Sequence, residues 1–90
     1  MIVDVRDAVK KASKYLADLY DPSTFGDVYL EEVDFDDMAK EWYVTLSYQR
    51  INRQTAGIEP PLLKPEREIK KFRIDADTGM VKSMRIWTPA

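Results

Sequence analysis

The sequence contains no cysteine and no histidine. Without cysteine there is no disulfide, no thiolate metal site and no thiol nucleophile. Without histidine the commonest general base and the commonest metal ligand are gone. Glycine is scarce: three residues, at 26, 57 and 79, too scattered to form a phosphate-binding loop. No segment approaches the roughly 20 apolar residues of a membrane span, and the opening MIVDVRDAVKKASKYL has no continuous apolar run of the secretory kind. The expectation is a cytoplasmic chain with no membrane partner.

What is present fits one domain. Ninety residues bury a single modest core, and 44% hydrophobic with 33% charged residues is ordinary globular composition. The net charge of −2 is unevenly spread. Residues 18–41 carry nine acids against Lys40 alone, whereas residues 50–90 carry nine bases against five acids. Charges of opposite sign in two halves of a small chain are expected to meet across a sheet.

Val5, Ala8, Val9, Ala12, Leu16, Leu19 and Tyr20 recur at i, i+3, i+4 spacing. They predict a helix over residues 5–20 with one apolar stripe. Asp4 is placed to cap it, with Asp7 in the box position three residues on, and Pro22 ends it by forcing Asp21 out of helical geometry. Three later segments read as β. VYLEEVDFD, residues 28–36, changes phase midway: Val28 and Leu30 are even, Val33 and Phe35 odd. Such a slip predicts a bulge near Glu31-Glu32. WYVTLSYQ, residues 42–49, alternates cleanly, with Trp42, Val44, Leu46 and Tyr48 on one face and Tyr43, Thr45, Ser47 and Gln49 on the other. Asp37 to Lys40 between them suits a hairpin. Residues 68–75 and 80–87 form a second pair joined by "IDADTGMV". Residues 50–66 hold three prolines and a glycine and are expected to be an irregular loop.

The aspartates of IDADTGMV raise the question of calcium. An EF-hand loop needs oxygen ligands at positions 1, 3 and 5, glycine at 6 and a glutamate at 12. Counted from Asp75, the glycine falls at position 5 and Ile86 stands at position 12. A hairpin explains every residue instead: Asp75 and Asp77 favour the turn, and Gly79 supplies a positive φ. No metal and no cofactor are expected.

Helix and strands together resemble the PepSY family and its small stand-alone relatives. The resemblance rests on the helix Val5–Tyr20, the Glu-Val strand Leu30-Glu31-Glu32-Val33, the middle strand Trp42-Tyr43-Val44 and the ending Ile74-Asp75-Ala76-Asp77-Thr78-Gly79-Met80-Val81. It covers most of the chain except residues 50–66. It implies one helix on an antiparallel sheet, and the family's suggested role in propeptides implies peptidase inhibition. The layout is also similar to small bacterial immunity proteins, which bind a partner toxin.

The residues themselves point away from catalysis. Asp34, Asp36 and Asp37, like Asp75 and Asp77, lie in expected turns, where aspartate serves the backbone. One helix on a sheet offers little concavity for a substrate. The reading is a single α+β domain over residues 1–90, an N-terminal helix packed on a four-stranded antiparallel meander sheet. It is a non-catalytic binding or regulatory module for a protein partner, acting as a monomer or as a weak dimer through a sheet edge. The candidate contact residues are Tyr43 and Trp87 on the helix-free face, where one register also places Val81, and Ile58, Leu62 and Leu63 in the loop. The alternative is single-stranded nucleic-acid binding by the basic 50–73 segment, against which stands a pI of about 5.1.

Overall fold

The computed structural model describes residues 3–50 and 67–87. The expected architecture is present: helix α1 (Val5–Leu19), then strands β1 (Phe25–Asp36), β2 (Glu41–Arg50), β3 (Arg67–Asp75) and β4 (Val81–Ile86). The strands form one antiparallel meander in the order β1-β2-β3-β4. Arg50, expected in the loop, is the last residue of β2, and residues 51–66 lie outside the described residues.

The helix begins and ends for local reasons. Asp4 stands at the N-cap and its carboxylate accepts the Asp7 amide at 2.8 Å. This satisfies one of the free donors of the first turn and sets a negative charge at the positive end of the helix. At the other end the Tyr20 amide still reaches the Leu16 carbonyl, but Asp21 takes an extended ψ of 123° ahead of Pro22. Ala8, Ala12 and Leu16 are the fully buried helix residues. They meet Val44, Leu46, Tyr48, Phe72 and Ile74 of β2 and β3. Val5 and Leu19, counted in the apolar stripe, are exposed. Periodicity identifies the apolar side of a helix, not how far a sheet extends beneath it.

The phase slip in β1 is real. Leu30 lies opposite Leu46 and Glu32 opposite Thr45, so Glu31 is the extra residue of a bulge. A second irregularity lies between Gly26 and Tyr29. In β4 the shift between Arg73 and Ile74 inserts Lys82. Val81, opposite Ile74, therefore packs on the helix side with the core. A bulge-free strand would put Val81 and Trp87 on one face; the bulge separates them.

The two tight hairpins share one design. Asp75 accepts the amides of Asp77 and Thr78 on a single carboxylate oxygen at 2.8 and 2.9 Å. Asp36 accepts those of Met38 and Ala39 in the same way. Four residues after each aspartate the chain turns left-handed, at Gly79 (φ 75°) and at Lys40 (φ 55°). The Asp75 turn is also stitched to the start of the chain. The Val3 amide donates to the Ala76 carbonyl, the Trp42 indole donates to the Val3 carbonyl at 2.8 Å, and the Ala76 amide donates to the Lys40 carbonyl. Gly79 is required here by its positive φ, which strains any side chain; a Cβ would also stand 3.1 Å from Lys11 Cε, the far end of a flexible side chain that can shift aside.

Candidate functional site

Register assigns every strand residue to a face. Below the helix lie Trp42, Val44, Leu46, Tyr48, Phe72 and Ile74. The helix-free face runs in rows across the sheet. One row is Asp34, Tyr43, Arg73 and Ser83, the next Glu32, Thr45, Lys71 and Arg85, the next Tyr29, Ser47 and Ile69. Trp87 continues the last of these, its amide donating to the Ile69 carbonyl. The face is thus acidic along β1, uncharged through the middle of β2 and basic along β3 and β4. The uneven charge of the sequence becomes a gradient across one surface.

That face is not bare. Ser47 is only 2% exposed although no helix covers it. Long side chains from neighbouring strands lie over it. The Ser47 hydroxyl donates to the Glu31 carboxylate, and Arg67 Nη2 reaches both Ser47 Oγ at 3.0 Å and the Asp27 carbonyl. The Arg67 guanidinium sits 4.5 Å over the Tyr29 ring, and the Lys71 ammonium 5.2 Å from the centre of the Tyr43 ring. Bulge residue Glu31, whose side chain turns onto this face, is what lets a serine stay buried.

Tyr43 and Trp87 share the face but do not form one patch. Two strands and four residues along the strand separate them, about 17 Å by sheet geometry. Tyr43 is half-buried, and Trp87 is 39% exposed. Ile58, Leu62 and Leu63 lie outside the described residues. Three of the seven described cations of the basic half form ion pairs: Arg50 with Glu68 at 3.0 Å, Arg73 and Lys82 with Glu41 at 3.3 and 2.8 Å, and Lys82 also with Asp75 at 3.6 Å.

The last cluster was not anticipated from sequence. Glu41 and Asp75 are direct cross-strand neighbours. Two like charges so placed repel, and the bulge residue Lys82 bridges them. Glu41 is buried, held by Lys82 and by Arg73, whose Nε lies close but without hydrogen-bond alignment. The Glu41 carboxylate holds the Lys82 ammonium above its ordinary pKa, and the turn amides of Thr78 and Asp77, with Lys82 behind them, hold Asp75 below the usual carboxylate range. At the far end of the sheet the Tyr48 hydroxyl donates to Glu68 at 2.7 Å, and burial together with that carboxylate pushes its ionisation well above the usual. Each of these groups is occupied by structure. Among the described residues no group of three or more acids converges to hold a metal ion.

The other distinctive surface is β1 itself. Helix α1 lies over β2, β3 and β4. Strand β1, twelve residues long and at the edge of the sheet, keeps Val28, Tyr29, Leu30 and Phe35 exposed. No described helix is long and apolar enough to cross a membrane. Compared with family models, curated proteins and solved structures, the chain finds no significant match in any of the three.

Proposed function

We propose that the chain is a small non-catalytic binding module that engages a protein partner. Its resemblance to PepSY domains and to immunity proteins suggests peptidase inhibition or toxin neutralisation as the form this takes. One observation carries the reading: a long edge strand with large apolar side chains exposed along it, while the one α-helix among the described residues lies over the other strands. Exposed apolar and aromatic groups beside unpaired strand edge are what protein recognition uses.

The test is capture by the purified, tagged chain, followed by reconstitution with the purified partner. Two sets of variants divide the surface: Leu30→Ser with Phe35→Ser on β1, and Tyr43→Ala with Trp87→Ala on the helix-free face. Replacing residues 53–63 by a short Gly-Ser turn adds that segment to the comparison. A reconstituted complex lost in at least one set, with folding intact, supports the reading. A chain that captures no protein but is retained on single-stranded DNA, with retention lost in Lys71→Glu, replaces it by the nucleic-acid reading.

A further inference from the structure

The two faces of β1 differ in kind. On the helix side stand Leu30, opposite Leu46, then Val33, opposite Val44, and Phe35, whose ring packs 4.8 Å from that of Trp42. Leu30 is 48% and Phe35 38% exposed, because the helix does not extend over them. On the other face stand Glu32 and Asp34, opposite Thr45 and Tyr43, and neither makes an ion pair among the described residues. From Glu32 to Asp36 the pairing with β2 is regular. The outer edge of this stretch has no neighbouring strand among the described residues.

We infer that β1 is a docking edge for an extended, cationic segment of the partner, which adds to the sheet as a fifth strand; this rests on the reading of the chain as a protein-binding module. Strand geometry dictates what such a segment must carry. Its side chains alternate between faces, so one set meets Leu30, Val33 and Phe35 and must be apolar. The other set meets Glu32 and Asp34 and must be basic. The acids also select against the commonest wrong occupant. A second copy pairing its own β1 across a two-fold axis would set Glu32 and Asp34 among like charges. The chain's basic edge, β4, is a poorer fit: on the helix-free face it offers Arg85, with Ser83 two residues before it, while Lys82 sits at a bulge and is already held by Glu41 and Asp75.

The experiment uses a synthetic peptide of about nine alternating lysines and valines, long enough to span the strand at ~3.4 Å per residue. A block peptide of the same composition serves as control. Amide resonances of the full chain are followed during titration. The alternating peptide is expected to shift residues 30–36, to bind at least about tenfold tighter than the block peptide, and to weaken about tenfold on moving from low to high salt. Glu32→Lys with Asp34→Lys, checked by melting to be folded, is expected to abolish binding. Methylating the peptide's backbone nitrogens is expected to do the same, since it removes the ladder donors.

Equal binding by the block peptide reduces the interaction to charge alone and overturns the inference. So do binding that survives the double charge reversal, and the absence of shifts at about 1 mM peptide. Concentration-dependent oligomers that perturb β1 and β4 together assign the edge to a second copy instead. Binding that emerges only after residues 53–63 are replaced assigns the face to that segment of the chain instead. A partner protein captured and reconstituted while the peptide fails leaves the binding-module reading standing and removes only this mode. A peptide that binds while no partner protein is ever reconstituted does the reverse.

Discussion

Leu16 and Leu19 lie three residues apart on one helix and are expected to differ by most of the stability that a single side chain can contribute. Leu16 is 1% exposed and Leu19 54%. Leu16 is also the only large helix side chain that is fully buried; the other two are Ala8 and Ala12. Truncating it to alanine removes three carbons from contact with the sheet and leaves a cavity, which costs about 2–5 kcal/mol. Alanines at 8 and 12 hold the helix close to the sheet and limit collapse from that side. Leu16 lies near the end of the helix, however, where the last turn is free to settle. These two effects place the expected loss near the middle of the range, at ~3 kcal/mol. A 90-residue chain has roughly 5–13 kcal/mol in all, so the urea midpoint should fall by about 2 M for a slope near 1.5 kcal/mol/M. Leu19→Ala should stay within about 0.5 kcal/mol of the parent. Urea unfolding followed by circular dichroism measures both. Equal losses for the two variants, or a loss below about 0.5 kcal/mol for Leu16→Ala, would refute the helix phase and the core built on it.

The twin hairpins make a paired prediction. Lys40→Gly relieves a left-handed lysine and should stabilise by about 0.5–1 kcal/mol, whereas Gly79→Val introduces the same backbone strain with a β-branched side chain and should destabilise by about 1–2 kcal/mol; thermal melts decide both. Asp75 gives a pH dependence. Its folded pKa lies below its unfolded one, so its contribution is present above about pH 4 and is lost as pH falls through the folded value. Asp75→Asn keeps an oxygen for the turn amides but cannot titrate, so its melting temperature should fall less steeply below pH 4 than that of the parent; identical slopes would refute the assignment. Glu41→Ala leaves Arg73 Nε buried without a counter-charge and should cost about 2 kcal/mol, while Lys14→Ala, which breaks an exposed pair with Asp18, should cost under about 0.5 kcal/mol in the same urea assay. Millimolar calcium should leave the melting temperature unchanged, since the Asp75 carboxylate is already occupied by the turn; a clear rise would reveal a bound ion.

Features set by neighbours within a few residues were legible in the sequence. The Asp4 cap, the stop at Pro22, the positive φ at Gly79 and the bulge at Glu31 each follow from local chemistry, and each is where the residues placed it. What was not legible depends on lateral position in the sheet. Alternation in WYVTLSYQ separates Tyr43 from Trp42, but nothing in one strand says that Lys71 lies over the Tyr43 ring or that Glu31 and Arg67 bury Ser47. Those contacts need the register of three strands at once. The buried Glu41 is hidden for the same reason: it is an acid at a strand end until Lys82, displaced by a bulge in another strand, is brought against it. Left-handed Lys40 gives no sign at all, because a lysine there is tolerated at a cost rather than preferred.

The exposed edge falls between these cases. Residues 28–36 carry the apolar content of a core strand, with Val28, Leu30, Val33 and Phe35. They also carry the charge of a surface loop, with Glu31, Glu32, Asp34 and Asp36. A strand covered on one side would keep the first set hidden; a solvated edge would not need it. A helix of fifteen residues, lying over β2, β3 and β4, leaves Val28, Leu30 and Phe35 in view, while Val33 packs against the core. A sequence that keeps large apolar side chains on an acidic edge retains an aggregation hazard unless something is meant to add there. The bulges and the negative charge restrict what can be added, which is the combination expected of an edge that is selective rather than merely unprotected.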